Sequence, residues 1–241
     1  MRGADPLRRL RAELTAALAP PACLACGAPL RAAAAELCGG CRRALPWLTG
    51  PRCARCGLPA PCGVRCPAGA AAFERSWAPL AHAGPAQALV AALKFRGALP
   101  LAQLMAAQIV ASAPRELLRD AALVPVPLHP ARRRSRGFDQ AELITAALAA
   151  RSGRPLVACL RRAGRPTRQL GAGRAARREA AARQLLRVDG TAPVRALLVD
   201  DVCTTGATFD ACARALRSAG AVHVSAVSYV RTLTRGAGIA R

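Results

Sequence analysis

The stretch Ala196-Leu197-Leu198-Val199-Asp200-Asp201-Val202-Cys203-Thr204-Thr205-Gly206-Ala207-Thr208 decides how this chain folds. It opens with an apolar run of strand length, turns through two acidic residues and a Thr-Thr-Gly, and ends where helical spacing begins at Phe209, Ala213 and Leu216. The pattern predicts a strand, a loop and a helix, with the loop at the carboxyl end of a buried strand, where open α/β sheets bind ligands. Thr204, Thr205 and Thr208 offer hydroxyl donors, and Gly206 lets the backbone approach a ligand and frees the amides of the first helical turn. Such a turn holds a phosphate. Asp200 and Asp201 would repel that phosphate if they faced it, so they read as acceptors for the hydroxyls of an attached sugar. The ligand implied is a sugar phosphate.

Val199 to Thr208 resembles the ribose-phosphate loop of type I phosphoribosyltransferases: an apolar strand, two acidic residues, two variable positions, then Thr-Thr-Gly-Ala-Thr. The resemblance implies that Asp200 and Asp201, the candidate catalytic pair, hold the ribose 2′ and 3′ hydroxyls of phosphoribosyl pyrophosphate. It implies likewise that Thr204, Thr205, Gly206, Ala207 and Thr208 hold the 5′-phosphate. The alternative, on the residues alone, is an ordinary acidic turn before a helix.

A chain of 241 residues is long enough for one α/β core and a small appendage. Hydrophobic residues make up 53% and aromatics 3%, so the core must be built from Leu, Val and Ala. The formal charge is +23, from 36 basic against 13 acidic residues. Lys94 is the only lysine. A compositional bias accounts for Arg in place of Lys but not for the basic excess, which fits a polyanionic partner or a phosphate-rich ligand. The scarcity of aromatic residues weighs against a stacking surface for single-stranded nucleic acid.

Residues 1–19 carry Leu7, Leu10, Leu14 and Leu18 at helical spacing with arginines between them, which predicts an amphipathic helix docked on the body or lying on a membrane surface. The arginines break up any secretory signal, and no segment reaches the ~20 charge-free apolar residues of a membrane span. In residues 20–70 eight of the eleven cysteines follow as pairs: Cys23 and Cys26, Cys38 and Cys41, Cys53 and Cys56, Cys62 and Cys66. Closely spaced thiolate pairs, with Gly27, Gly39, Gly57 and Gly63 just behind them, suit tetrahedral metal. Four pairs predict two structural zinc ions, used in sequence or cross-braced. A disulfide framework is the competing account, but a sugar-phosphate metabolite points to a reducing, cytoplasmic setting. Cys203 reads as inert.

The composition changes after Cys66, and residues 73–232 read as the α/β unit, with a tail at 233–241. Pro67 to Ala72 is a linker, Ser76 to His82 a strand, Gly84 to Gly97 a helix closed by glycine, and Leu101 to Ala113 a second helix. Leu123 to Pro130 alternates apolar residues with prolines and reads as a strand end running into a rigid loop. Arg132, Arg133, Arg134 and Arg136 come next, either a seat for a pyrophosphate or a solvated basic turn. A helix then runs through Leu143, Ile144, Ala147 and Leu148, and Val222 to Val230 is a last strand. His129 reads as a packing or hydrogen-bonding residue, and no general base is assigned.

The order of cysteine knuckles, Lys94-Phe95-Arg96-Gly97, Val124 to Pro130, Arg136 to Leu143 and the ribose-phosphate loop is similar to the ComF family, from about Pro21 to Tyr229. The resemblance implies a double zinc ribbon joined to a type I phosphoribosyltransferase domain, with a mainly parallel sheet flanked by helices, and for some members a part in DNA uptake during competence. It implies a glycosyltransferase acting on phosphoribosyl pyrophosphate, with magnesium neutralising the diphosphate. The chain departs from the family at Thr167 to Arg174, where Ala172 and Gly173 replace Leu and Ser in a segment that, as a closing loop, would shield the reacting centre. That erosion and the basic excess favour a second expectation, a non-catalytic module that binds single-stranded DNA or a helicase partner.

Overall fold

The computed structural model describes residues 21–30, 35–162 and 186–233. The expected N-terminal helix, the Thr167 to Arg174 segment and most of the arginine-containing tail lie outside the described residues.

Two long strands, β6 (Arg195–Cys203) and β7 (His223–Arg231), pair in parallel at the centre of a five-stranded sheet. Parallel to β6 on its far side lies β3 (Ala122–Pro125), while β1 (Ser76–Trp77) and β2 (Leu80–Ala81) share the edge beyond β7. The sequence reads Ser76 to His82 as a single strand; the structure divides it at Pro79, which has no N–H to give a ladder. Both pieces still pair with β7, so the edge keeps one line.

Parallel strands need crossovers, which cover both faces of the sheet. The strands accordingly alternate between two cores. Leu197, Val199, Val227, Tyr229 and Leu123 point to one, packed under α2 (Gly84–Arg96), α3 (Leu101–Ser112) and α6 (Gln140–Ser152). Ala196, Leu198, Val224, Ala226 and Val124 point to the other, against α7 (Ala207–Ser218). A short antiparallel pair, β4 (Leu160–Arg162) and β5 (Leu186–Val188), lies along this second side.

The helices end as their residues dictate. Gly97 closes α2 and Gly153 closes α6, each in the left-handed region at φ 63° and 67°, and the Asp139 carboxylate caps α6 by accepting from the amides of Ala141 and Glu142. With two short helices counted, α1 (Gly39–Arg43) and α4 (Arg115–Leu118), the four arginines after Pro130 stand on a further helix, α5 (Pro130–Arg136), and not on the loop or turn read from the sequence. Pro130 opens it, His129 Nδ1 accepts from the Ala131 amide at 3.2 Å, and Gly137 closes it at φ 78°.

The N-terminal part forms two cysteine-bearing ribbons that cover the β1/β2 edge. Trp47 bridges Leu80 antiparallel, Leu48 N–H donates to Pro79 O at 2.8 Å and Ala81 N–H to Pro46 O at 2.9 Å. The first ribbon buries Cys23, Leu37 and Leu45 in the α2/α3 core, and the second buries Cys56, Leu58 and Ala68 in the α7 core. Each ribbon therefore serves one side of the sheet, and an edge open to association is blunted.

Candidate functional site

Two four-cysteine centres are formed in sequence order: Cys23, Cys26, Cys38 and Cys41, then Cys53, Cys56, Cys62 and Cys66, each set with its sulfurs within 4.8 Å of one another. This resolves the choice between sequential and cross-braced pairing in favour of the shorter loops. Tetrahedral zinc at about 2.3 Å from sulfur sets neighbouring sulfurs about 3.8 Å apart. The Cys26 and Cys38 sulfurs lie 3.8 Å apart and those of Cys53 and Cys66 3.7 Å apart, so the donor set fits two structural zinc ions.

The centres share a repeat that spacing of the cysteines alone does not reveal. Pro21 to Pro29 and Pro51 to Pro59 both read Pro-x-Cys-x-x-Cys-Gly-x-Pro, and both fold the same way: Ala22 bridges Pro29 and Arg52 bridges Pro59, with Gly27 N–H bonded to Cys23 O and Gly57 N–H to Cys53 O. Burial opposes the Cys23 thiolate, but the amides of Cys38, Cys26 and Ala25 together bring its pKa down to about 6. The Cys56 amide leads in lowering Cys53, against burial, also to about 6. Burial and the neighbouring thiols push Cys41 up to about 12. A dication is the group that lets all four thiols of a centre ionise together. With four sulfurs each, neither centre keeps a position for reacting water.

The second constellation lies at the carboxyl end of β6. Asp200 and Asp201 belong to the strand itself, Thr204, Thr205 and Thr208 are exposed around the turn, and Gly206 is buried at φ 86° as the residue that opens α7. Thr205 Oγ1 accepts from the Ala207 amide at 3.3 Å. Phe73 packs beneath the turn: a Cβ on Gly206 would stand 3.6 Å from its ring, which meets Phe209 edge-on at 6.4 Å.

Neighbouring strand residues leave on opposite faces, yet the two carboxyls remain close enough to interact. Burial, then the Asp201 charge, holds the Asp200 carboxyl well above the usual carboxylate range, although its Oδ1 accepts from the Asp201 amide at 2.8 Å. Asp201 is buried and meets Lys94 Nζ, from the end of α2, at 2.7 Å. Sequence reading did not pair Lys94 with Asp201, residues far apart in the chain. The signal available was that the single lysine of an arginine-rich chain occurs here. A second unforeseen neighbour is Arg231, which ends β7 only 4% exposed and donates through a terminal guanidinium nitrogen to Cys203 Sγ. Cys203 is buried, and burial pushes its thiol up, as an inert role requires.

Lys94 also lines an open cavity of about 540 Å³ between the end of α2 and α5. Arg96, Arg132 and Arg136 share its walls with Phe95 and Phe138, and among the described residues no acidic one lines it. Phe95 is 73% exposed, and the Arg136 guanidinium stands 5.2 Å over its ring while bonding Gln140 Oε1 at 2.9 Å. The three histidines lie apart: His82 near Lys94, His129 capping α5, and His223 at the opposite end of β7, 3.0 Å from Glu74.

Residues 14–70 match the double zinc ribbon domain family. No curated protein matches the chain. No helix among the described residues is long and apolar enough to cross a membrane.

Proposed function

We propose that this chain is a phosphoribosyltransferase-type protein of the ComF kind, binding magnesium phosphoribosyl pyrophosphate at the carboxyl end of β6. The observation that carries the reading is the turn at Gly206: a left-handed glycine at the mouth of a helix, ringed by exposed Thr204, Thr205 and Thr208, directly after two carboxyls. Free amides and hydroxyls there suit a 5′-phosphate, and Asp200 and Asp201 suit ribose hydroxyls. The basic cavity shares Lys94 with Asp201 and has the charge to receive the diphosphate. Magnesium would come with the substrate and neutralise its diphosphate.

In the transfer, a nitrogen nucleophile forms a bond to the ribose anomeric carbon as the bond from that carbon to oxygen breaks, and pyrophosphate leaves with the electron pair. The chain contributes positioning and neutralisation of charge, which is what such a displacement requires. Calorimetry with magnesium phosphoribosyl pyrophosphate tests the binding: replacing both Asp200 and Asp201 with Ala should abolish it, and an unaltered affinity refutes the assignment. Release of pyrophosphate with a panel of nitrogenous acceptors tests turnover.

A second reading, a nucleic-acid or helicase-partner module linked to DNA uptake, is favoured by one observation: an exposed aromatic ring, Phe95, beside Lys94, Arg96, Arg132 and Arg136 in one cavity of a chain with charge +23. Titration with single-stranded DNA at several salt concentrations separates the two, since a steep salt dependence supports the second reading and absence of binding near physiological salt counts against it.

A further inference from the structure

We infer that Arg231 is the counter-charge for a phosphate dianion seated on the Thr204–Thr208 turn, acting from beneath the turn while the amides and hydroxyls act from above. The inference rests on the phosphoribosyl reading of that turn and names a residue which neither motif nor family match assigns.

Arg231 is the last residue of β7, and its register partner is Cys203, the last residue of β6, so its side chain starts at the mouth of the sheet. It is only 4% exposed, and its Nε is buried without a hydrogen-bond partner. A terminal nitrogen reaches Cys203 Sγ and lies 3.9 Å from where a Cβ on Gly206 would project. The guanidinium is thus directed at the residue on which the turn pivots. Among the described residues no carboxylate forms an ion pair with it, and its one acceptor is a thiol whose ionisation burial opposes.

A guanidinium stays charged at any working pH, and a buried charge without an opposite one is unfavourable. Phe73 closes the same side of Gly206 with apolar surface, so the charge is not relieved through that wall. Directly above, α7 begins at Gly206, which has no side chain to cap it; the Ala207 amide bonds Thr205 Oγ1 at 3.3 Å, and the positive end of a twelve-residue helix faces outward with the remaining first-turn donors. Two independent sources of positive potential converge on one small turn, and a phosphate monoester dianion is the ligand chemistry that satisfies both. A neutral sugar hydroxyl satisfies neither.

The test uses the full zinc-loaded chain and ribose 5-phosphate, with R231M and R231K. Met keeps the length and removes the charge. R231M should weaken ribose 5-phosphate about tenfold or more, with partial recovery in R231K. It should also flatten the gain in affinity that accompanies loss of the second phosphate proton near pH ~6. The unliganded R231M protein should melt at the same temperature as the parent or higher, because an unpaired buried charge has been removed, whereas a merely structural arginine would give a lower melting temperature. If R231M binds ribose 5-phosphate as the parent does, the inference falls while the phosphoribosyl reading stands. If the parent itself fails to bind ribose 5-phosphate, the reading falls and the inference with it.

Discussion

Lys94 and Asp201 meet at 2.7 Å with side chains 21% and 7% exposed, a pair sheltered enough that losing one partner strands the other. Replacing Lys94 with Met should therefore lower stability by about 3 kcal/mol in urea unfolding, and adding D201N should restore much of it. An equal loss in the single and double variants would deny the coupling. His82 stands near this pair: burial first, then the Lys94 charge, holds its imidazole below the ordinary 6.5, with Asp201 opposing. A histidine depressed in the folded state contributes stability that is whole above the ordinary value and lost as the pH falls through the folded one. Because the Asp200 and Asp139 carboxyls, raised by burial, act with the opposite sign, the comparison isolates His82: in unfolding measured between pH ~5 and ~7, the parent should lose stability relative to H82Q on acidification, and an unchanged difference between the two would deny the role. Of this cluster the sequence disclosed the two aspartates, because their spacing to a Thr-Thr-Gly is local. Lys94 reaches Asp201, and Arg231 the underside of the Gly206 turn, only through tertiary folding, and local spacing carries no trace of that.

The strand, turn and helix around Gly206 were readable because three local signals agree: an apolar run, residues that suit a tight turn, and helical spacing afterwards. Gly206 carries the joint at φ 86°, a conformation that a side chain resists. G206A should cost about 1 kcal/mol or more in stability and weaken phosphate binding, measured by thermal melting and calorimetry; a stable variant with parental affinity would show that the turn is not held in this form. Helix α5 was missed for the opposite reason. Pro130 to Arg136 contains no large apolar residue, so it has no periodicity, and only its ends, proline in front and glycine behind, mark it as a helix. The strand at Ser76 reads longer in the sequence than it is because Pro79 interrupts the ladder while leaving the line of the chain straight enough for β2 to resume pairing.

At the scale of the molecule, the two ribbons are built into the two cores, one on each side of the sheet. Metal and sheet should therefore fail together. Native mass spectrometry should count two zinc ions per chain, matching the two four-sulfur centres, and stripping them with a strong chelator should lower the melting temperature of the whole chain in a single transition. A sheet that melts unchanged without zinc would show the ribbons to be independent attachments. The cysteine pattern disclosed the metal but not the docking, which depends on Trp47, Leu48 and Pro46 meeting an edge strand whose position only the fold defines.

The contact at Gly57 shows how deep that docking goes. A Cβ there would stand 2.3 Å from the Ser76 carbonyl oxygen, and Ser76 in turn bonds the Arg55 carbonyl through its amide at 2.8 Å and the Cys56 carbonyl through its hydroxyl at 2.9 Å. The knuckle and the first strand are thus seated backbone to backbone, with no room for a spacer. Severing the polypeptide near Phe73 to obtain the α/β half alone would tear out its border, leaving raw amides and carbonyls ready to recruit another copy. The two halves are inseparable in practice, and any trimmed version should be expected to clump unless its margin is rebuilt.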